Sequence, residues 1–322
     1  MKKLLLATAI AALSVSAANA APTVYGKAYV ALDYVDTDTS SLEINSHASR
    51  LGFKGSEAMT ANTDVIYQLE YGTSIDGESR TFQSRDTFLG LANNTYGEFR
   101  FGRNQSSLDR INNVVTADGG YWDNLDANMV DSGRINNSMI WTAPKYQGLP
   151  LQVSAMYASK EDKAVIDKDG YGVSMMFDQD TGFTAGVAYD KDLNLVSGYG
   201  KSGDVIRGTA TVDLAKFASV PVTLGALYQV ADIDGADSKE KGFVLSAAMG
   251  LQNFAKPASV YAQYNNTSNV LGDSDIDSDQ IVVGGKYFYQ PNMIMHAYAG
   301  QYDKDGDADK TLAIGTALEY KF

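Results

Sequence analysis

The 322-residue chain has no cysteine. That excludes disulfides, thiolate zinc centres and cysteine nucleophiles. Histidine is almost as scarce, with only His47 and His296, far apart in sequence. Nucleophilic catalysis needs a base held against its nucleophile. Ser46 and Ser49 lie near His47, but Ser46, its neighbour on a strand, points to the opposite face, and the chain does not read as an enzyme. Basic residues are outnumbered, 26 against 39 acidic ones, for a net charge of −13. That balance argues against a nucleic-acid partner. Beyond the first twenty residues there is no run of about 18 apolar residues, so no transmembrane helix is expected.

The first twenty residues form a separate unit. Lys2 and Lys3 precede an apolar core from Leu4 to about Val15, and Ala18-Asn19-Ala20 supplies a small-x-small cleavage pattern. Residues 1–20 therefore read as a secretory signal peptide, too short in its apolar core to span a bilayer. Removing it takes away two lysines and no acids, so the charge of residues 21–322 falls to −15.

A hydropathy test is blind to membrane barrels, whose strands alternate lipid-facing and lumen-facing residues. Such alternation runs through the whole chain. In VYGKAYVALDY, Ala28, Val30, Leu32 and Tyr34 oppose Lys27, Tyr29, Ala31 and Asp33. In the last twelve residues, TLAIGTALEYKF, the even positions from Leu312 to Phe322 oppose Ala313, Gly315, Ala317, Glu319 and Lys321. The pattern predicts sixteen strands over 23–35, 43–55, 62–73, 83–93, 97–104, 134–143, 149–159, 169–178, 183–192, 204–214, 220–232, 242–254, 257–268, 278–290, 293–304 and 311–322. Their connections alternate in character. Long acidic ones (TSIDGESRT, SKEDKAVIDK, ADIDGADSKEK, NVLGDSDID, DKDGDADK) take turns with tight ones such as Asn94-Thr95 and Pro291-Asn292. Segregated loop lengths and aromatics at strand ends are features of a membrane barrel; Tyr25 and Tyr34 are among the aromatics expected in its girdles. The expected fold is all-β, a 16-stranded antiparallel transmembrane barrel. Its last strand closes on its first, since an open edge in lipid is untenable, with Phe322 in the girdle at the periplasmic rim.

Several stretches carry a resemblance. VYGKAYVALDY, SRLGFKGSE, SRDTFLGL, FRFGRN and GRINNS resemble the trimeric general porins of Gram-negative outer membranes. The resemblance implies a homotrimer in the outer membrane, with the third long loop folded into each pore. Here that loop covers about 105–133, and its Val114, Val115, Tyr121, Trp122, Leu125 and Met129 are too apolar to stand in solvent. Asp118-Gly119-Gly120 is the nearest match to the family's acidic signature, so Asp118, Asp123 and Asp126 are the candidates for the acidic side of a constriction. Parity turns Arg50, Arg85 (on the face of Thr87, opposite Phe88) and Arg100 inward. The resemblance places Lys27, Arg50 and Arg85 on the basic wall opposite the loop, with Arg134 as a further member. Arg103 shares parity with Phe99 and Phe101 and faces outward. In the family an outward arginine here pairs with a neighbour's second loop, where Asp76 and Glu78 are the available acids.

The acids of DKDGDADKTLAI begin like a calcium-binding loop, but the twelfth position is Ile314 and the glycine is displaced to Gly306. A solvated acidic loop is the better reading, and no metal or cofactor is expected. Divalent ions bridging such loops to lipopolysaccharide are left open. The function that follows is passive diffusion of ions and small hydrophilic solutes, with weak cation selectivity. The alternatives are a sugar- or oligosaccharide-selective channel, which needs an aromatic path (Tyr29, Tyr261 and Phe288 have inward parity), and a structural or adhesive barrel.

Overall fold

The computed structural model describes residues 21–77, 82–117, 120–122, 125, 128–145, 149–160, 168–178, 180–196, 201–307 and 310–322. The expected signal peptide lies outside them. Seventeen strand segments follow one another. They are β1 (Thr23–Asp36), β2 (Ser40–Ser46), β3 (Arg50–Thr60), β4 (Thr63–Gly72), β5 (Gln83–Asn93) and β6 (Gly97–Gln105). Next come β7 (Arg134–Thr142), β8 (Leu151–Ala158), β9 (Gly170–Asp178), β10 (Phe183–Val196), β11 (Lys201–Asp213) and β12 (Val222–Ile233). The last are β13 (Glu240–Leu251), β14 (Ala258–Ser268), β15 (Ser278–Gln290), β16 (Met293–Lys304) and β17 (Thr311–Lys321). Each predicted strand has its counterpart.

β2 and β3 share one position, both pairing with β1, so the closed sheet has sixteen strands. The break falls at His47–Ser49, where Ala48 takes the left-handed φ of 48°. Ser49 repairs the ladder there: its hydroxyl accepts the Tyr29 N–H (2.9 Å) and donates to the Tyr29 carbonyl (3.1 Å). Closure is made by β1 and β17 in continuous antiparallel register from Lys27↔Lys321 to Asp36↔Leu312. Phe322 extends it, its N–H donating to the Gly26 carbonyl (3.1 Å) and its carbonyl accepting the Gly26 N–H (2.9 Å). Its ring covers Gly26 on the outer surface.

The burial pattern is that of a protein turned inside out. On β17, Ile314 and Leu318 are half exposed while Ala313 and Glu319 are buried. The outward row is apolar and the inward row polar or small, as hydrocarbon outside and water inside demand. Exposed aromatics stand near both ends of the strands, with Tyr34 and Tyr171 at the long-loop rim and Phe254, Tyr289 and Phe322 at the other. Tyr25 is a correction. It shares the inward parity of Lys27, its ring lies on Gly52, and its hydroxyl donates to Glu70 (3.0 Å).

Among the register shifts of the sheet, the one on β5 bears on the site. Leu69 pairs with Thr87, but Tyr71 pairs with Ser84, so a bulge at Arg85-Asp86 shifts the register. Phe88 consequently faces the lumen, under the Arg100 guanidinium at 4.5 Å, and Thr87 shares the outward face of Leu69. Arg85 points inward as expected, but because of the bulge rather than by simple parity.

Candidate functional site

The described residues of the third loop, between Ser106 and Gly133, lie inside the barrel. Its base is closed by Ser106 N–H donating to the Gly133 carbonyl (2.8 Å). Going out, it runs along the wall from β9 toward β17. Ile111 packs into a cluster with Ala188 and Val205, and the Val114 carbonyl accepts from Ser246 Oγ (2.6 Å). Gln263 Oε1 accepts the N–H groups of Thr116 (2.8 Å) and Ala117 (3.2 Å). Trp122 is the far anchor. Its indole N–H donates to the Ala313 carbonyl (3.1 Å), and its ring lies so close to Gly300 that a Cβ there would meet it at 2.8 Å. Coming back, Val130 is held at both backbone groups, N–H to Glu240 Oε1 and carbonyl to Gln229 Nε2, each 2.8 Å. The other oxygen of Glu240 accepts the Leu271 N–H (2.9 Å), tying the third loop to the 269–277 surface loop. Each backbone polar group held this way offsets the desolvation of a loop packed against a wall.

This route explains Tyr29 and Tyr261, two of the three aromatics that alternation turned inward; the third, Phe288, lines the remaining cavity. Tyr29, Tyr261 and Tyr298 are buried with Trp122 in one cluster. They seat the loop, and the aromatic path a sugar channel needs is not formed by them.

The loop covers one side of the lumen and leaves the other open. The remaining cavity is about 840 Å³. Lys27, Arg50, Arg85 and Arg134 line its wall side, joined by Lys286 and Lys321, which the sequence reading did not single out. Asp109 and Asp131 line it from the loop, and Glu319 from β17. Among the described residues, six basic groups thus face three carboxylates. Acids just behind the wall hold the arginines in place. Glu70 lies 2.8 Å from Arg85 Nε and 3.8 Å from Arg50 Nε, and Asp86 lies 2.6 Å from Arg134 Nε. Paired side chains of this kind are pre-set rather than mobile.

Asp118, Asp123 and Asp126 lie outside the described residues, as does Glu78. The two loop acids the structure does place at the cavity sit at the loop's stem. Asp131 faces Arg207 Nη2 at 3.4 Å. Asp109 is pushed up from the ordinary carboxylate range by burial, and further by the charge of Asp131. Arg100 faces inward but does not line the cavity; it pairs with Glu98 over the Phe88 ring. Arg103 lies at a register shift in β6, its Nη1 donating to Asn136 (2.5 Å). Asp76 accepts the Ser46 N–H (2.7 Å) within its own chain.

The hydroxyls of Ser46 and Ser49 bond each other (3.0 Å), while His47 Nε2 contacts Asp33 (2.9 Å). In the calcium-like loop, Asp303 pairs with Lys310 (2.6 Å) and Asp305 accepts the Asp277 N–H (3.2 Å). Among the described residues, no group of three carboxylates or histidines stands ready to hold a metal.

A closed barrel with an apolar outer band, a polar lumen and a loop folded across that lumen defines the class: an outer-membrane channel. A model of the Gram-negative porin family matches residues 7–307, and the chain belongs to that family. Major outer membrane protein P.IB of Neisseria sicca is 26% identical over 369 residues, which cover 100% of each chain. Among solved structures, the anion-selective porin from Comamonas acidovorans superposes with a TM-score of 0.74 at 17% identity, covering 94% of this chain and 100% of that one. A trimer form of OmpT, an outer membrane protein of Vibrio cholerae, gives 0.69 at 18% identity, with 94% and 100% covered. At such identities these likenesses speak for the fold alone. The protein is a β-barrel of the Gram-negative outer membrane.

Proposed function

We propose that this porin works by general diffusion, passing ions and small hydrophilic solutes through the water-filled gap between the third loop and the basic wall, without a catalytic step. The observation that carries the reading is the cavity itself, lined by charges from the wall on one side and from the loop on the other. Such a transverse field orders water and sorts solutes by size and charge.

Ion preference is the sum of two fields. The described cavity lining carries six basic and three acidic groups. Glu70 and Asp86, bonded to the wall arginines just behind it, bring the acids to five. The balance stays basic and favours anions at the constriction. That runs against the weak cation selectivity expected from sequence. The surface loops carry much of the −15 and favour cations at the mouth. At 1 M salt the Debye length is about 3 Å, and only the eyelet acts on a passing ion; at 0.01 M it is about 30 Å, and the whole mouth acts. The preference therefore moves from anions toward cations as salt falls.

The assembly we propose is a homotrimer, with Arg103 on an outer face held against a neighbour's second loop through Asp76 or Glu78, and with lipopolysaccharide around the rim. A trimeric structural neighbour supports the assembly. Asp76 is engaged by Ser46 in its own chain. Reversal potentials in salt gradients test the pore reading. A drift toward cation preference on dilution is expected. A drift toward anions would overturn it.

A further inference from the structure

Two buried residues meet over a glycine beneath the tip of the third loop. Asp33 on β1 and Tyr298 on β16 are not neighbours in the sheet. Each pairs with Gly315 of β17, which runs between them. Adjacent strands lie about 4.8 Å apart, so the two side chains start from backbones about 10 Å apart. They reach each other because position 315 carries no side chain. A Cβ there would meet Asp33 Oδ1 at 2.2 Å and Tyr298 Cε2 at 2.5 Å. Across that gap the Tyr298 hydroxyl donates to Asp33 Oδ1.

The bridge is held on one side and carries the loop on the other. Asp33 Oδ2 accepts the Asn45 amide (2.9 Å) and lies 2.9 Å from His47 Nε2. An ionised carboxylate is acceptor only, and with one oxygen held from two sides the other has one direction left. On the loop side, the backbone N–H of Tyr121 bonds the Tyr298 hydroxyl. The backbone of Gly120 lies on the same end of the ring, where a Cβ would meet Tyr298 Cζ at 2.0 Å. Gly120–Trp122 is a single turn of 3-10 helix. Trp122 fixes that turn by a side chain, and Tyr298 fixes it by the backbone. A hydrogen-bonded chain therefore runs from a tip amide through a phenol to a buried carboxylate on the strand that closes the barrel.

We propose that Asp33 is a positioning residue of the constriction: through the Tyr298 hydroxyl it fixes the backbone of residues 120–122, and with it the width of the gap that the loop leaves open. The proposal rests on the diffusion reading. Asp33 touches no passing solute. Its part is to keep the phenol pointed at its own oxygen, so that the lone pairs of the hydroxyl stay turned to the Tyr121 amide. Leaving a buried member of such a chain without its partner raises the ratio of displaced to seated turn by roughly tenfold or more.

The chain has two tryptophans, Trp122 and Trp141, so a Trp141→Phe background leaves Trp122 as the sole reporter of the tip. Acrylamide quenching of its fluorescence is measured on the folded protein in that background, with Asp33→Ala, Tyr298→Phe and the two combined. The quenching constant is expected to rise at least twofold in each single variant, while the gel mobility of the folded barrel stays unchanged. The double variant should quench no more than Tyr298→Phe alone, since Asp33 acts on the tip through that hydroxyl; a general loosening at Asp33 would add to it. Single-channel current is recorded alongside. Absence of openings in the unmodified protein counts against the diffusion reading, whereas quenching reports the seat of the tip without any current. Unchanged quenching in Tyr298→Phe, which removes one oxygen atom, overturns the proposal even if Asp33→Ala does not fold. So does unchanged quenching in folded Asp33→Ala, or a double variant in which the two rises add.

Discussion

Removing the far anchor of the third loop separates the stability of the barrel from the placement of its constriction. Trp122 is 5% exposed, packed on Gly300 and on Tyr121, with its indole N–H on the Ala313 carbonyl. Trp→Ala at a buried site costs about 3–5 kcal/mol. None of that falls on a strand ladder, because Trp122 touches the wall without belonging to it. The cost falls on the docked state of the loop tip. At about 1.4 kcal/mol per tenfold, the ratio of undocked to docked tip rises by two to nearly four orders of magnitude. The stem stays held by Gln263, Ser246, Gln229 and Glu240, so the loop frays from its tip. Trp122→Ala should therefore raise open-channel noise and alter mean conductance in planar bilayers. The temperature at which the folded barrel loses its fast mobility on a gel should move by only a few degrees. Wild-type noise and conductance in a folded variant would refute the anchoring. Collapse of the barrel would refute the separation of loop from wall.

Other outcomes follow from the same geometry. Arg50→Ala removes bulk and one positive charge from the wall, so conductance should rise and reversal potential shift toward cations; no shift would remove Arg50 from the ion path. Arg103→Ala should lower the temperature of trimer dissociation on a gel if the latch exists, and unchanged dissociation would remove it. Asp109 supplies a pH dependence. Its folded carboxyl holds its proton more tightly than the unfolded one, so the docked stem is favoured in acid. It loses stability as pH rises from the ordinary carboxylate range through the elevated folded value. Asp109→Asn should then quieten the channel at neutral pH and have little effect near pH 4; noise that is independent of pH in wild type would contradict this.

Much of the fold was legible because a barrel strand carries its own label. Each residue faces either lipid or water, and a two-residue period survives even where mean hydropathy is low. The expected span 43–55 shows the limit. It covers one barrel position, but the break at Ala48 depends on a left-handed backbone and a serine hydroxyl standing in for a ladder bond, and an alanine does not announce that. Arg85 shows another limit. Its inward direction was reached by parity, whereas the structure reaches it through a bulge that turns Phe88 inward as well. Of the cavity residues missed, Lys321 and Glu319 already lay on the polar face of the last strand, and Lys286 stands between the glycines and aromatics of β15. Their charge was visible, but their convergence was not. It depends on which strands close the sheet, a pairing between the two ends of the chain. Asp109 carried no signal of periodicity at all, since a loop has no parity. Its place follows from Ile111 and Val114, which bind the outgoing stem to the wall.

The central claim is that solutes cross an open aqueous gap beside the third loop, with no saturable site to hold them. Single-channel conductance of the refolded protein in planar bilayers, measured from 0.1 to 3 M KCl, tests it most directly. The account predicts discrete openings whose conductance keeps growing with salt across that range, in groups of three equal steps for a trimer. Absence of openings, or a conductance that saturates well below 1 M, would contradict it.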